Sequence, residues 1–331
     1  MADGVTSESA LDEIEAQHEP RGALASFDRW ERQGWTVAEL DLARDRDGWS
    51  ALPSFLASEL RFNVDRFFLG EAAVTETLAP LAHAAPETEW QLYLCTQLAD
   101  EARHTMFFAR YLEAVGAREP ESDLGGYLRR SWDATPDHFS ELLDRELHEV
   151  TRRVWSSGEE ADWYRAVTLY HLVVEGVLAV TGQRRLLDII GDRPGLATLR
   201  SAVLNVARDE SRHISFGVSA LREGAVRGFG DAIAEQLEES VPHAAWIVVS
   251  PERPLPALIP ARVLRAIGAD FERRISRAGA ALAGRVERIG LAGTADALRR
   301  TWESSVTAAL DEYLAAHGRE HPMRVAVGSR P

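Results

Sequence analysis

Lysine is absent from this chain of 331 residues, so all 37 strongly basic side chains are arginine, a bias we attribute to genome composition and not to function. Arginine is outnumbered by 52 acidic residues, leaving a formal net charge of −15. That balance argues against nucleic acid, whose phosphates require a concentrated basic surface, and against docking on an anionic membrane. Cysteine is nearly absent too: Cys95 stands alone, which excludes an intrachain disulfide, a Cys-rich zinc site and an iron–sulfur cluster. No long apolar run follows a basic segment in the opening stretch MADGVTSESALDEIEAQHEP, so neither a secretory signal nor a membrane anchor is expected there. Residues 1–25 read as a flexible acidic tail, residues 26–331 as a single helical domain, and the location as cytoplasmic. Strand-type alternation and a Gly-rich phosphate loop are also missing.

What remains is helical periodicity in a chain with 45% hydrophobic and 27% charged residues, the proportions of a globular protein. The spacing predicts helices over 54–83, 87–115, 137–155, 159–190, 195–224, 230–246, 260–289 and 293–317. Turns are expected around Pro86 and at Gly191-Asp192-Arg193-Pro194, and a connection over 117–135. The fold class is therefore all-α, with a core over about 54–224 and a helical C-terminal part over about 230–317.

Two of these helices carry nearly identical pentapeptides, Asp100-Glu101-Ala102-Arg103-His104 and Asp209-Glu210-Ser211-Arg212-His213. Each contains Glu-x-x-His, and residues three apart share a helix face, so a carboxylate and an imidazole can reach one cation. One copy arises readily by chance; two copies point to a pair of metal ions. The bundle arrangement that holds two metals also needs one glutamate from each remaining helix. Glu71 in FFLGEAAVTE and Glu175 in YHLVVEGVLAVTG stand in apolar surroundings where an unpaired carboxylate is costly. Glu71 and Glu101 are equidistant from position 86, and Glu175 and Glu210 straddle positions 192–193. In antiparallel hairpins both pairs meet at mid-bundle, on the order of 25 Å from the turns. Four carboxylates crowded there repel or protonate unless cations join them. Oxygen-rich ligands with one imidazole per metal suit iron or manganese. Asp100 and Asp209 are placed to accept hydrogen bonds from the ligand imidazoles, or to pair with Arg103 and Arg212.

The segments LDLARDRDGW, GEAAVTE, TQLADEARHTMFFARYLEAVG, VVEGVLAVTG and RDESRH resemble the ligand-binding oxidases related to the small subunit of ribonucleotide reductase, a ferritin-like group. The likeness runs from about Leu40 to Leu221, and no good match is found beyond about residue 225. It implies a ferritin-like four-helix bundle with one manganese and one iron ion (two iron ions being the alternative). It further implies a long-chain fatty acid against the metals, O2 as oxidant, an unidentified electron donor and a homodimer. By similarity, Glu71, Glu101 and His104 hold the first metal and Glu175, Glu210 and His213 the second, with Glu101 bridging. The family's ether crosslink joins a valine three residues after the first ligand glutamate to a tyrosine five residues before the third. Val74 and Tyr170 occupy those positions, and the resemblance implies an O2-activating oxidase that could also oxidise a hydrophobic substrate.

Three rivals stand beside it. One is an uncrosslinked diiron oxygenase acting on a small metabolite. Another is a true ribonucleotide reductase small subunit, although Phe108 occupies the place of the usual radical tyrosine. The non-enzymatic reading is ferritin-type iron storage, in chains about half this length.

Overall fold

The computed structural model describes residues 7–15, 22–120, 123–133, 135–254 and 259–327. Among the described residues every regular element is helical. Within the stretch read as a flexible tail, Ser7–Glu15 forms a helix (α1) that buries Leu11 and Ile14. Residues 1–6 and 16–21 lie outside the described residues. A second amphipathic helix, Ala23–Gln33 (α2), follows.

Two hairpins make the bundle. Ser54–His83 (α3) packs along Thr88–Ala114 (α4), and Glu160–Ile190 (α5) packs along Ala197–Val226 (α6). The periodicity of α3 explains its fold: Leu60, Val64, Phe68, Glu71, Val74, Leu78 and Leu81 recur at three- and four-residue spacing, and all are buried. Pro80 sits one turn from the end of α3 without ending it, and Ala84 closes the helix on the Pro80 carbonyl at 3.0 Å. The α4 stop is built at Gly116, whose φ of +75° lets the Ala117 N–H return to the Leu112 carbonyl at 2.9 Å. Both turns lie where the spacing placed them.

Two stretches depart from ideal α-helix. Thr168–Ala179 within α5 and Glu141–Glu146 are π-helical, each adding a residue to a turn. The second joins Asp137–Ser140 to Leu147–Ser157, making the helix expected near 137–155. The connection over 117–135 contains an unforeseen helix, Leu124–Trp132, started by Asp123, whose side chain accepts from the Gly126 N–H at 2.9 Å.

Gly230–Val249 (α7), Ala261–Ile289 (α8) and Ala292–His317 (α9) then wrap one side of the bundle. Against α7, Glu146 accepts hydrogen bonds from Gln236 and Ser240. Burial, reinforced by the Glu239 and Glu141 carboxylates, pushes Glu146 up to about 7 in spite of those bonds. Between about pH 4.5 and 7 the folded chain therefore holds a proton that the unfolded chain has released. Stability is expected to fall as pH rises through that window, by on the order of 1–3 kcal/mol from this residue. Chemical denaturation of wild type and Glu146→Gln across the window checks this; the variant's curve should be flatter.

Among the described residues, Glu160–Ile190 alone is long and apolar enough to span a membrane, but 72% of its most apolar window is buried inside the bundle.

Candidate metal centre

The four bundle helices bring their carboxylates and imidazoles to one place. Ligand atoms of Glu71, Glu101, His104 and Glu210 lie within 4.8 Å of one another, as do those of Glu101, Glu175, Glu210 and His213. The six residues read from the sequence are thus assembled in two overlapping groups, all buried. Glu101 and Glu210 belong to both, so the geometry offers two shared carboxylates where one was expected.

The imidazoles are aimed consistently. His104 Nδ1 faces Glu71 at 3.4 Å, Glu101 at 3.4 Å and Glu210 at 3.5 Å, while its Nε2 meets Asp209 at 3.1 Å. His213 Nδ1 faces Glu101 and Glu175 at 3.1 Å and Glu210 at 3.5 Å, while its Nε2 meets Asp100 at 3.2 Å. Each ring therefore turns one nitrogen to the cluster and fixes the other on an aspartate, the arrangement by which proteins orient metal-binding histidines. The pairing crosses over: the aspartate beside Glu210 holds His104, and the aspartate beside Glu101 holds His213.

Whether cations fit can be read from atoms left without partners. Glu101 Oε2, Glu175 Oε2, Glu210 Oε2 and His104 Nδ1 are buried and make no hydrogen bond among the described residues. Such orphans cost about 1–3 kcal/mol each, and four of the buried atoms without a partner gather in this one cluster. Burial pushes Glu71, Glu175 and Glu210 above the usual carboxylate range. It also opposes charge on Glu101 and the imidazoles, but His213 and His104 hold Glu101 low, and the surrounding carboxylates, Glu71 and Glu175 foremost, hold both histidines up. Without cations, protons must fill the cluster; coordinated cations satisfy the oxygens as carboxylates and leave the imidazoles neutral.

Behind the cluster lies a second charged layer. Arg212, buried in the core, bonds Asp209 at 2.5 Å and Asp100 at 2.9 Å, and Arg103 bonds Asp100 at 2.7 Å. The Trp35 indole N–H donates to Asp209 at 2.7 Å and that of Trp30 to Asp100 at 2.9 Å. Burial notwithstanding, His104 and Arg212 hold Asp209 well below its ordinary range. Replacing Arg212 by methionine takes one buried cation from two aspartates that keep their Arg103, indole and imidazole partners, and a loss of about 1–3 kcal/mol is expected from urea unfolding midpoints. The two roles weighed for Asp100 and Asp209 are both present: each aspartate holds a histidine and pairs with arginine.

The indoles and two further residues were not foreseen. Gln97 donates to Glu175 at 2.8 Å and faces His171 Nε2 at 3.1 Å. Burial pushes His171 down to about 3, so it stays neutral. Gly217 admits that imidazole, since a Cβ at Gly217 would stand 2.2 Å from the His171 Cβ. Nothing in local sequence links Trp30, Trp35 or Gln97 to the cluster, because their partners are far along the chain.

The Tyr170 hydroxyl reaches the cluster, and Val74 lines the cavity beside it. The Tyr170 hydroxyl donates to Glu101 Oε1 at 3.1 Å, and burial, then the Glu101 charge, pushes its pKa up. Val74 lines a cavity of about 1300 Å³ whose wall also includes Glu71, Glu101, Glu175 and Glu210. Helices α7, α8 and α9 contribute the outer wall through residues such as Trp246, Phe271 and Tyr313. Phe108 is fully buried and stacked on Phe67 at 5.0 Å, so no phenol stands where a radical tyrosine was considered.

No protein-family model matches the sequence. Among solved structures, the chain is similar to an R2-like ligand-binding oxidase with aerobically reconstituted metal cofactor after photoconversion, with a TM-score of 0.59 at 23% identity over 88% of this chain and 93% of that one. A variant of such an oxidase with aerobically reconstituted Mn/Fe cofactor gives 0.60 at 22% identity, over 88% and 94%. Another variant, with anaerobically reconstituted Mn/Fe cofactor, gives 0.55 at 22%, over 88% and 93%. The fold is thus the ferritin-like helical bundle of these structures. Coverage of 88% means that the structural match extends past residue 225, where no sequence likeness was found, into part of the C-terminal helices.

Proposed function

We propose that this chain is an O2-activating oxidase with a dinuclear Mn/Fe centre, held by Glu71, Glu101 and His104 on one side and Glu175, Glu210 and His213 on the other. The observation that carries the reading is the double cluster of buried ligand atoms, with orphaned carboxylate oxygens and with both histidines anchored from behind. The Mn/Fe cofactors named for the similar structures support the choice of metals. Glu101 and Glu210, present in both groups, are the candidates for bridging.

When bound, the metal pair supplies O2 binding and redox chemistry. The chain's own residues do the rest. Asp209 and Asp100 keep Nε2–H of each histidine engaged, so that Nδ1 is free to coordinate. Tyr170 is fully buried in apolar packing, and Val74 faces the cavity. Glu101 accepts the Tyr170 hydroxyl hydrogen bond and so orients the phenol oxygen beside the cluster. Linking Tyr170 to Val74 replaces one O–H and one C–H bond by a C–O bond; two electrons and two protons leave, with O2 as acceptor. A linear aliphatic ligand such as a long-chain fatty acid fits the cavity, which is walled largely by apolar side chains and opens onto the cluster.

The test is intact and peptide mass spectrometry after aerobic reconstitution with manganese and iron. Loss of two hydrogens with the Val74 and Tyr170 peptides joined is expected. Full metal loading without the link would favour the second reading, an uncrosslinked oxygenase of an external substrate, for which the cavity volume leaves room.

A further inference from the structure

Outside the six-residue cluster, a second pair of histidines meets face to face. His138 lies in Asp137–Ser140, which runs directly into the π-helical stretch Glu141–Glu146, and His243 lies on α7. Their Nδ1 atoms stand 3.0 Å apart, with ring centroids at 5.3 Å and planes inclined by 47°. Both residues are half-buried. His138 also rests on the Trp246 ring at 4.8 Å, and those two side chains line the cavity.

Two ring nitrogens aimed at each other at this distance must share something. A single proton is one solution, with the Nδ1–H of one ring donating to the bare Nδ1 of the other. A cation is the other. Nitrogens bound to one ion at about 2.0–2.1 Å stand about 2.9–3.4 Å apart, for angles between square-planar and tetrahedral. The observed 3.0 Å falls inside that range. Burial, then the neighbouring His138, holds His243 below its ordinary pKa, which keeps the ring neutral as a metal ligand must be.

The surroundings favour the cation. The seam between the π-helical stretch and α7 holds the carboxylates of Glu141, Glu146 and Glu239, the first and last of which push Glu146 up. Against them stands Arg145, paired with Glu141 at 2.5 Å. Glu141 follows His138 by three residues and Glu239 precedes His243 by four, so each carboxylate is one turn from its histidine. We propose that His138 and His243 form a further metal site, for a borderline divalent cation of the zinc class, with Glu141 and water completing the coordination. Imidazole-led donor sets suit zinc, copper or nickel, whereas the oxygen-rich cluster suits manganese and iron, so the two sites sort different ions. Bound there, the ion ties the entry of the π-helical stretch to α7 and braces that part of the cavity wall.

The experiment is equilibrium dialysis of the Mn/Fe-loaded full-length protein against zinc chloride, with bound metals counted by mass spectrometry and thermal unfolding followed in parallel. Wild type is expected to take up one further ion per chain, to retain manganese and iron, and to unfold at a higher temperature with zinc. His138→Asn and His243→Asn should each weaken zinc binding by at least about tenfold, since even partners that only orient a ligand are worth about 10–100-fold. Both variants should keep manganese and iron, which reports an intact fold. Zinc affinity of wild type should fall as pH drops through about 6.5, where protons compete for imidazole. The difference between wild type and variants reads this site whichever metals fill the cluster. No further ion in wild type would overturn the proposal and leave the shared proton. Unchanged zinc affinity in the double variant would overturn it as well. So would zinc gained only as manganese or iron is lost, because that ion would sit in the cluster.

Discussion

Glu210→Ala protein should retain almost none of either metal ion after aerobic loading, whereas Glu71→Ala should lose chiefly one. The difference follows from membership: Glu210 contributes to both groups of ligand atoms and Glu71 to one. Removing a shared carboxylate leaves each position short of a ligand and leaves the two ions facing each other with less negative charge between them. At a separation of about 4 Å even an effective dielectric of 20 makes two unit charges repel by about 4 kcal/mol, and these ions carry more than unit charge. Metal content by mass spectrometry, normalised to folded protein, reads the result. Two ions bound to Glu210→Ala at wild-type occupancy would exclude the shared role.

The second large effect is expected at Tyr170. Tyr170→Phe removes the hydroxyl that donates to Glu101 and leaves the six clustered side chains in place. Metal occupancy should stay near two ions, while the loss of two hydrogens and the joined peptides should vanish altogether. One buried hydrogen bond to a carboxylate is worth about 1.5–3 kcal/mol, too little to unload the centre. A link that persists in Tyr170→Phe would move the reactive tyrosine elsewhere. Tyr93 is also fully buried, and its hydroxyl has no partner among the described residues, so its peptide is the first to search.

Much of this was legible in the sequence because it is governed by short-range periodicity. The repeated Asp-Glu-x-x-His segments specify which side chains share a face, and counting from the turns at 86 and 192–193 sets the heights at which they meet. Val74 and Tyr170 were picked out by the family resemblance and not by periodicity. What could not be read depends on long-range packing or on departures from ideal geometry. Trp35 reaches Asp209 across 174 residues and Gln97 reaches Glu175 across 78. The π-helical stretch Thr168–Ala179 adds residues to turns that an ideal 3.6-residue period would place differently, yet it is this stretch that holds Tyr170, His171 and Glu175. The crossed pairing of aspartates with histidines was equally hidden. From spacing, Asp100 is simply the neighbour of Glu101; only the docking of α4 on α6 assigns it to His213. The C-terminal helices were legible as helices that could cover the cavity, but not which residues they supply to it, because amphipathicity reveals a buried face without naming what it covers.

The sharing of Glu210 and the crossed aspartates also bear on how the protein is made. One ion position needs side chains from α3, α4 and α6, and the other needs α4, α5 and α6. A nascent chain that has emerged only as far as Ile190 carries three of the glutamates and one histidine, yet neither position is complete and His104 lacks the Asp209 that orients it. Metal selection is thereby deferred until nearly two thirds of the chain has left the ribosome and the second hairpin has closed on the first. The ions are then chosen by a finished cage rather than captured by a growing polypeptide.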